Sequence, residues 1–281
     1  MNRAAIQTFD HGNVLAVADY APLLRANGLD TFEKIMAAES DHFARRFPGR
    51  NTVRMELKSS DGGATRAIYL KRYEPEYLSS WDFFLRAIRW PNADDESGRE
   101  WRGLHALRAQ GFNTATPIAA GQKKSGGVVT RSFVMTEEIR GGTPGDSYCR
   151  GLDTAERRQF FAELAVLARR FHDAGFAHRD FYLCHFFVVP RERLREIFLI
   201  DLQRVFQPRL FRERWLVKDL GSLAYSALNA GATEADVLHF VKTYLGENGS
   251  LVLEKRLVVK MLRRVAWLQT RVPEHRLKPT M

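Results

Sequence analysis

The chain has 281 residues, 45% of them hydrophobic, and carries 43 Lys or Arg against 33 Asp or Glu, for a formal net charge of +10. Its length and apolar content predict one large or two modest domains. The two cysteines have no metal-binding spacing, which argues against a disulfide scaffold or a structural zinc site. The positive charge favours anionic partners, and because no nucleic-acid-binding motif is present, phosphorylated sugars or an acidic membrane surface are favoured over nucleic acid.

The N-terminal residues show neither a basic start leading into an apolar run nor a small-residue cleavage site, so we expect no secretory signal. No apolar window approaches the roughly 18 residues that a membrane-spanning helix needs. We therefore expect a cytoplasmic protein that is soluble or peripheral to a membrane.

The first 45 or so residues are expected to form an extension with one helix. This helix is predicted over residues 30–47, with Asp30 as N-cap and Glu33 three positions later as its capping box. Residues 51–58 and 65–73 then alternate apolar and polar side chains on either side of a Gly-rich turn, which predicts a β-hairpin.

A lysine and a glutamate follow on neighbouring elements. Lys71 lies near the end of the second strand, and helical spacing predicts a helix over residues 94–111 with its leucines on one face. Glu100 falls on that same inward face. A buried carboxylate needs a cationic partner, and Lys71 is the candidate.

A change of composition predicts a boundary between two lobes. Residues 114–122 and 127–139 read as further strands, and the Gly- and Pro-rich stretch 141–146 follows them. We therefore predict an N-terminal lobe of sheet plus one helix over 1–139 and a mostly helical C-terminal lobe over 140–281.

The second lobe is predicted to begin with a helix over residues 153–175, in which Asp153 and Glu156 form a capping box and Gly175 ends the helix. Later elements are an apolar strand and three helices, over residues 196–205, 218–231, 233–246 and 251–270.

A polar cluster lies inside the apolar run AHRDFYLCHFFVV of residues 177–189. Lys71 on a strand and Glu100 on a helix precede it, and Asp201 follows at the end of an apolar strand, an order that matches a kinase. On this interpretation Lys71, held by Glu100, binds ATP phosphates and Asp201 binds Mg²⁺. Asp180 accepts the proton of the acceptor hydroxyl.

Two other interpretations of this loop stay open. His178, Asp180 and His185 are zinc-ligand types, although their spacing fits neither one helix face nor a known zinc pattern. A purely structural hydrogen-bonded network is the second alternative. Cys184 is expected to be an inert thiol packed behind the loop.

Three stretches carry a family resemblance: HRDFYLCHFFV, FLIDLQRV and RWLVKDLGSLAYSAL. They closely resemble the bacterial lipopolysaccharide kinase family, which phosphorylates heptose or Kdo sugars of the lipopolysaccharide inner core, and the similarity runs from about residue 30 to about residue 270. The resemblance implies an α+β, two-lobed protein-kinase-like fold: a small antiparallel-sheet N-lobe with one helix, and a mostly helical C-lobe.

It further implies ATP and Mg²⁺ as cofactors and an anionic lipopolysaccharide acceptor, most directly heptose I, at the cytoplasmic face of the inner membrane. His185 stands where protein kinases place a metal-binding asparagine, and Asp219 matches a family aspartate expected to brace the loop. Gly49, in the candidate phosphate-covering turn RRFPGRN, replaces a Gly-rich loop that the sequence lacks. The candidate site residues are thus Asp180, Arg179 and His178 for catalysis, Lys71, Glu100, Glu137 and Gly49 for the nucleotide, and Asp201 and His185 for metal.

Residues 204–218 and 255–278 interleave basic residues with Phe, Trp and Leu. This pattern fits both an amphipathic helix with solvated basic side chains and a surface that docks on an anionic membrane. Two functional alternatives also stay open: a kinase for another small-molecule or protein hydroxyl, and a pseudokinase that binds without turnover. The missing Gly-rich loop and His185 motivate the second.

Overall fold

The computed structural model of the chain describes residues 5–40, 42–47, 49–59, 63, 65–74, 95–192, 195–246 and 251–271. They divide into two compact units, one ending at Glu138 and the other beginning at Ile139, within one residue of the predicted boundary. Among the described residues, no helix is long and apolar enough to cross a membrane.

The first unit is built on a seven-stranded antiparallel sheet in the order β1-β2-β6-β7-β5-β4-β3. The strands are β1 Ile6–Phe9, β2 Val14–Val17, β3 His42–Phe47, β4 Arg50–Leu57, β5 Arg66–Tyr73, β6 Pro117–Ser125 and β7 Val128–Glu137. Three helices accompany the sheet, α1 Ala21–Ala26, α2 Phe32–Ala37 and α3 Glu96–Ala109.

The predicted hairpin is confirmed as β4 and β5, which pair from Arg50 with Tyr73 to Leu57 with Arg66. The alternation that predicted it buries Val53 and Leu57 on one strand and residues such as Leu70 on the other. Burial of one face against a core fixes the register of such strands, because a slip of one residue would expose every buried side chain.

The single helix predicted over residues 30–47 is wrong. Thr31, one residue after the predicted cap, accepts the backbone N–H of Lys34, and α2 ends at Ala37. Ala38 then has an extended backbone, and residues 42–47 form β3 at the edge of the sheet. Pairing with β4 across the turn at Gly49 satisfies one side of the β3 backbone, so hairpin formation overrides the helical preference of these residues.

The N-terminal extension also contains two strands that the sequence did not predict. β1 and β2 pair with each other, and β2 pairs with β6, so the extension completes one side of the sheet. Phe32, Ile35 and Leu24 from the short helices are fully buried against sheet residues such as Phe133 and Met135.

The second unit combines a three-stranded antiparallel sheet, in the order β10-β9-β8, with five helices among the described residues. Its strands are β8 Thr143–Pro144, β9 Phe186–Pro190 and β10 Arg195–Leu199. Its helices are α4 Gly145–Arg150, α5 Thr154–Asp173, α6 Arg212–Asn229, α7 Glu234–Leu245 and α8 Leu251–Arg271.

The four helices predicted for this unit are confirmed in order, and the short α4, which was not predicted, precedes them. Asp153 and Glu156 form the predicted capping box of α5, and Gly175 follows the helix with a φ of +87°, a conformation that favours glycine. α6 begins at Arg212, six residues earlier than predicted. The strand predicted over residues 196–205 ends at Leu199, because Asp201 has a left-handed backbone with a φ of 57° that a strand cannot contain.

Candidate functional site

A buried ion pair joins β5 to α3 in the first unit. Lys71 lies on β5 between Thr52 of β4 and Val134 of β7, in the interior of the sheet. Its Nζ is 2.5 Å from Oε1 of Glu100, which is only 3% exposed, and the Tyr73 hydroxyl donates to Oε2 of Glu100 at 3.2 Å. The predicted pairing of these two side chains is confirmed.

The other two nucleotide candidates lie elsewhere in the first unit. Gly49 occupies the turn between β3 and β4 with a φ of +68°, and its carbonyl accepts the backbone N–H of Glu74. Because β1 and β2 precede it, this turn joins the third and fourth strands along the chain. Glu137 ends β7, and its carboxylate accepts a hydrogen bond from Nη1 of Arg66 at 2.8 Å.

The catalytic-loop candidate in the second unit rests on a tightly packed apolar base. Ala177 and Phe206 exchange backbone hydrogen bonds of 2.9 and 3.0 Å, which fixes the start of the loop. Phe181 is fully buried and packs on Phe171 of α5 and on Phe186, with ring centroids 5.4 and 4.9 Å apart. The aromatic residues of this stretch therefore hold the loop that carries the polar ones.

Asp219 of α6 braces the loop, as predicted. Its fully buried carboxylate accepts the backbone N–H of His178 at 2.7 Å and that of Arg179 at 2.9 Å. Arg179 has a φ of 69°, a strained conformation for a residue with a side chain. The charge-assisted hydrogen bonds that Asp219 accepts from Arg179 and from the preceding residue stabilise this conformation.

Asp180 points its carboxylate at an arginine that sequence reasoning did not single out. Nη1 of Arg204 lies 2.9 Å from both carboxylate oxygens of Asp180. Arg204 belongs to the short 3₁₀ turn of residues 202–204 directly after Asp201. Its place only three residues beyond the candidate metal aspartate is the signal that would have found it.

His185 connects the two candidate aspartates. Its Nδ1 donates to the backbone carbonyl of Asp180 at 2.7 Å, and its Nε2 lies 3.6 Å from Oδ2 of Asp201. Burial disfavours the charged ring, but the Cys184 sulfur and the Asp201 carboxylate outweigh burial and raise the pKa of His185 to about 9.

His178 lies behind this pair. Its ring stacks on that of His185 with centroids 5.8 Å apart, and its Nε2 is 3.2 Å from the carbonyl of Ile200. The side chain is fully buried, and burial lowers the pKa of His178. The side chain therefore has no exposed surface with which to contact a substrate.

The described residues contain no group of three or more His, Cys, Asp or Glu side chains arranged to hold a metal. Asp201 and His185 form a pair. Mg²⁺ is usually held by one or two carboxylates together with phosphates of a nucleotide, so this donor set fits a nucleotide-borne Mg²⁺ better than a closed structural metal site. Nδ1 of His185 donates to a carbonyl, which leaves Nε2 as the ring atom available to a metal.

Comparison with known proteins connects these observations to a family. The sequence model of the lipopolysaccharide kinase (Kdo/WaaP) family matches residues 38–244. The lipopolysaccharide core heptose(I) kinase WaaP of Escherichia coli K12 is 30% identical over 228 residues, 78% of this chain and 83% of that protein. WaaP of Pseudomonas aeruginosa is 30% identical over 231 residues, 78% of this chain and 81% of that protein.

A solved structure of WaaP in complex with acyl carrier protein superposes with a TM-score of 0.67 at 26% sequence identity. The match covers 94% of this chain and 99% of that one. The predicted fold class, an antiparallel-sheet unit followed by a mostly helical unit of the protein-kinase-like type, is confirmed.

Proposed function

This chain belongs to the lipopolysaccharide kinase (Kdo/WaaP) family, and from that premise we propose that it transfers the γ-phosphate of ATP to a hydroxyl of an inner-core lipopolysaccharide sugar, with heptose I as the acceptor. The observation that supports this most is the braced loop of the second unit. Two backbone hydrogen bonds to Asp219 hold the residues directly before Asp180, and His185 links that loop to Asp201.

Asp180 is the proposed general base. The acceptor oxygen forms a bond to the γ-phosphorus, the bond between the γ-phosphorus and the β,γ-bridging oxygen breaks, and ADP leaves. The hydroxyl proton passes to a carboxylate oxygen of Asp180. Each carboxylate oxygen has two lone pairs, so Arg204 can keep its hydrogen bonds while a hydroxyl binds at the remaining positions.

Other residues are proposed to neutralise the negative charge of the nucleotide phosphates. Lys71 is proposed to bind nucleotide phosphates, with Glu100 fixing its ammonium group, and Gly49 and Glu137 remain nucleotide candidates. Asp201 and His185 are the proposed protein ligands of Mg²⁺. A bound Mg²⁺ would neutralise charge on the β- and γ-phosphates.

The other loop residues are assigned to positioning. His178 is fully buried and donates its backbone N–H to Asp219, so we propose that it holds the loop and does not contact the acceptor. The guanidinium of Arg179 lies 5.4 Å from the ring centre of Trp215 and 5.7 Å from that of Phe206, a cation–π arrangement that fixes the side chain in place.

The α8 helix supports a peripheral membrane location. Val252 and Trp267 are 74% and 43% exposed, and exposed Arg256 and Arg271 lie on the same helix. Apolar side chains mixed with cations fit an anionic membrane surface, and we propose that α8 docks the protein at the cytoplasmic face of the inner membrane. Sedimentation with anionic vesicles but not with zwitterionic ones is the expected result, and equal binding to both would contradict this role.

Acyl carrier protein is a second proposed partner, because one solved relative was determined in complex with it. The proposal predicts that the two proteins co-purify from cells expressing both, and that their stoichiometry is constant across a gel-filtration peak. Separate elution at micromolar concentrations would contradict it.

A transfer assay tests the enzymatic proposal. Purified protein with ATP and Mg²⁺ should phosphorylate dephosphorylated core oligosaccharide, and Asp180→Ala should abolish transfer without unfolding the protein. Asp173→Ala is the matched control, because Asp173 is an exposed aspartate paired with Arg169 at the end of α5. Nucleotide binding by the wild-type chain without transfer to any core acceptor would instead favour a pseudokinase.

A further inference from the structure

Three half-buried cations surround the loop that carries Asp180. The guanidinium of Arg179 and the ammonium of Lys218 both lie 5.4 Å from the ring centre of Trp215, so one indole ring joins the loop to α6. Trp215 and Lys218 are neighbours on one face of α6, three residues apart.

Arg264 of α8 belongs to the same group. It lies against Gly221 of α6, one turn after Lys218, where an added Cβ would come within 2.6 Å of the Arg264 Cγ. The lack of a side chain at position 221 therefore lets Arg264 pack directly on α6.

Electrostatic effects connect Lys218 to the other two cations and to the proposed base. Burial, Arg204 and Arg179 lower the pKa of Lys218, and Arg264 adds to this, while Asp180 opposes it. Burial also lowers the pKa of Arg264. Positive charge is therefore concentrated around Asp180 beyond what that single carboxylate offsets.

These cations lack acidic partners within the described parts of the chain. Neither Arg179, Lys218 nor Arg264 takes part in a salt bridge there, and the buried Nε atoms of both arginines have no hydrogen-bond partner. The carboxylate of Asp180 is already bound by Arg204. Partly buried cations without anions are costly, so a bound anion would relieve an existing electrostatic penalty.

We propose that Arg179, Lys218 and Arg264 form an anion subsite beside Asp180, and that it binds a phosphate or carboxylate group carried by the acceptor next to the hydroxyl that is phosphorylated. The inference rests on the proposed function for its substrate and on the geometry of the second unit for its location. The nucleotide phosphates are the other source of such an anion. We assign the nucleotide phosphates to Lys71 and Mg²⁺. Loss of the subsite should therefore weaken acceptor binding and leave ATP binding unchanged.

Steady-state kinetics of the full chain distinguishes the two sources. Lys218→Met and Arg264→Met are compared with Arg263→Met, which removes the same charge from an exposed neighbour on α8. With a soluble core oligosaccharide that carries its carboxylates, the two subsite variants should raise the KM for the acceptor about tenfold or more. Lys218→Arg should retain most of the wild-type affinity because it retains the charge.

With a neutral heptoside acceptor, and for ATP, the KM of every variant should stay within about twofold of wild type, since no charge-assisted contact is lost. An increase in the KM for ATP, or equal increases for charged and neutral acceptors, would overturn the proposal. So would an Arg263→Met effect as large as that of Arg264→Met.

A binding measurement separates this inference from the proposed function. In a thermal shift assay without nucleotide, inorganic phosphate at millimolar concentration should stabilise the wild-type chain and Arg263→Met, and should stabilise Lys218→Met and Arg264→Met less. If the wild-type chain transfers no phosphate to any acceptor, the proposed function fails while this measurement still tests the subsite. Equal stabilisation of all four proteins, or of none, would refute the subsite.

Discussion

Removal of Lys71 should destabilise the first unit because it leaves the buried carboxylate of Glu100 without its cationic partner. Glu100 is 3% exposed, and its Oε1 lies 2.5 Å from the Lys71 ammonium. Removing one partner of a buried ion pair typically costs about 3–5 kcal/mol, since the remaining ion has no compensation for its lost hydration. The Tyr73 hydroxyl still donates to Oε2, which places the expected cost of Lys71→Met near the lower limit, about 3 kcal/mol.

The double variant Lys71→Met with Glu100→Gln should recover part of this loss, because a neutral amide of the same shape replaces the carboxylate. We expect it to be more stable than Lys71→Met alone by about 1–2 kcal/mol. Urea unfolding followed by tryptophan fluorescence measures these differences, and Trp101 is next to Glu100 on α3. Lys34→Met is the control, because Lys34 and Asp30 form an exposed pair that should contribute little to stability.

Two results would contradict this expectation: a cost of Lys71→Met no greater than that of Lys34→Met, or a double variant as unstable as Lys71→Met. Either result would mean that Glu100 does not depend on the Lys71 charge in the folded protein.

Three further substitutions test the loop. Asp219→Asn should cost about 2–4 kcal/mol in urea unfolding, because an amide cannot accept both backbone N–H groups that the carboxylate accepts. Gly145→Ala should cost about 1–3 kcal/mol and lower kcat, because its Cβ would lie 2.7 Å from the backbone oxygen of Leu183 in the loop. Arg204→Ala should lower kcat about tenfold by releasing the Asp180 carboxylate, while the stability changes by less than about 1 kcal/mol because Arg204 is 43% exposed.

Each of these has its own control. Asp173→Asn, at an exposed site, should leave the free energy of unfolding unchanged. If Asp219→Asn also left it unchanged, Asp219 would not brace the loop. Gly151→Ala should be tolerated, because the nearest atom to its Cβ is 3.7 Å away. An unchanged kcat in Arg204→Ala would show that this arginine does not position Asp180.

The parts of the structure that the sequence predicted well depend on local patterns. The position of Glu100 followed from helical spacing, because residues three or four apart share a face, and that face is buried. The hairpin of β4 and β5 followed from alternation and a Gly-rich turn. Asp219 was placed against the loop through a motif, and its hydrogen bonds confirm the placement.

The parts that the sequence missed depend on contacts between different elements of the structure. β3 forms at the sheet edge by pairing with β4, although its residues also fit a helix. β1 and β2 are four residues each, too short to show a clear alternation. The grouping of Lys218 with Arg264 arises because two helices pack side by side at Gly221, and no spacing within either helix reveals it.

Mass spectrometry of the lipopolysaccharide core from a strain that lacks this gene tests most directly whether the chain phosphorylates an inner-core sugar. This core should lack one phosphate on an inner-core sugar, and the wild-type gene, but not the Asp180→Ala variant, should restore it. An unchanged core, or restoration by the Asp180→Ala variant, would contradict this function.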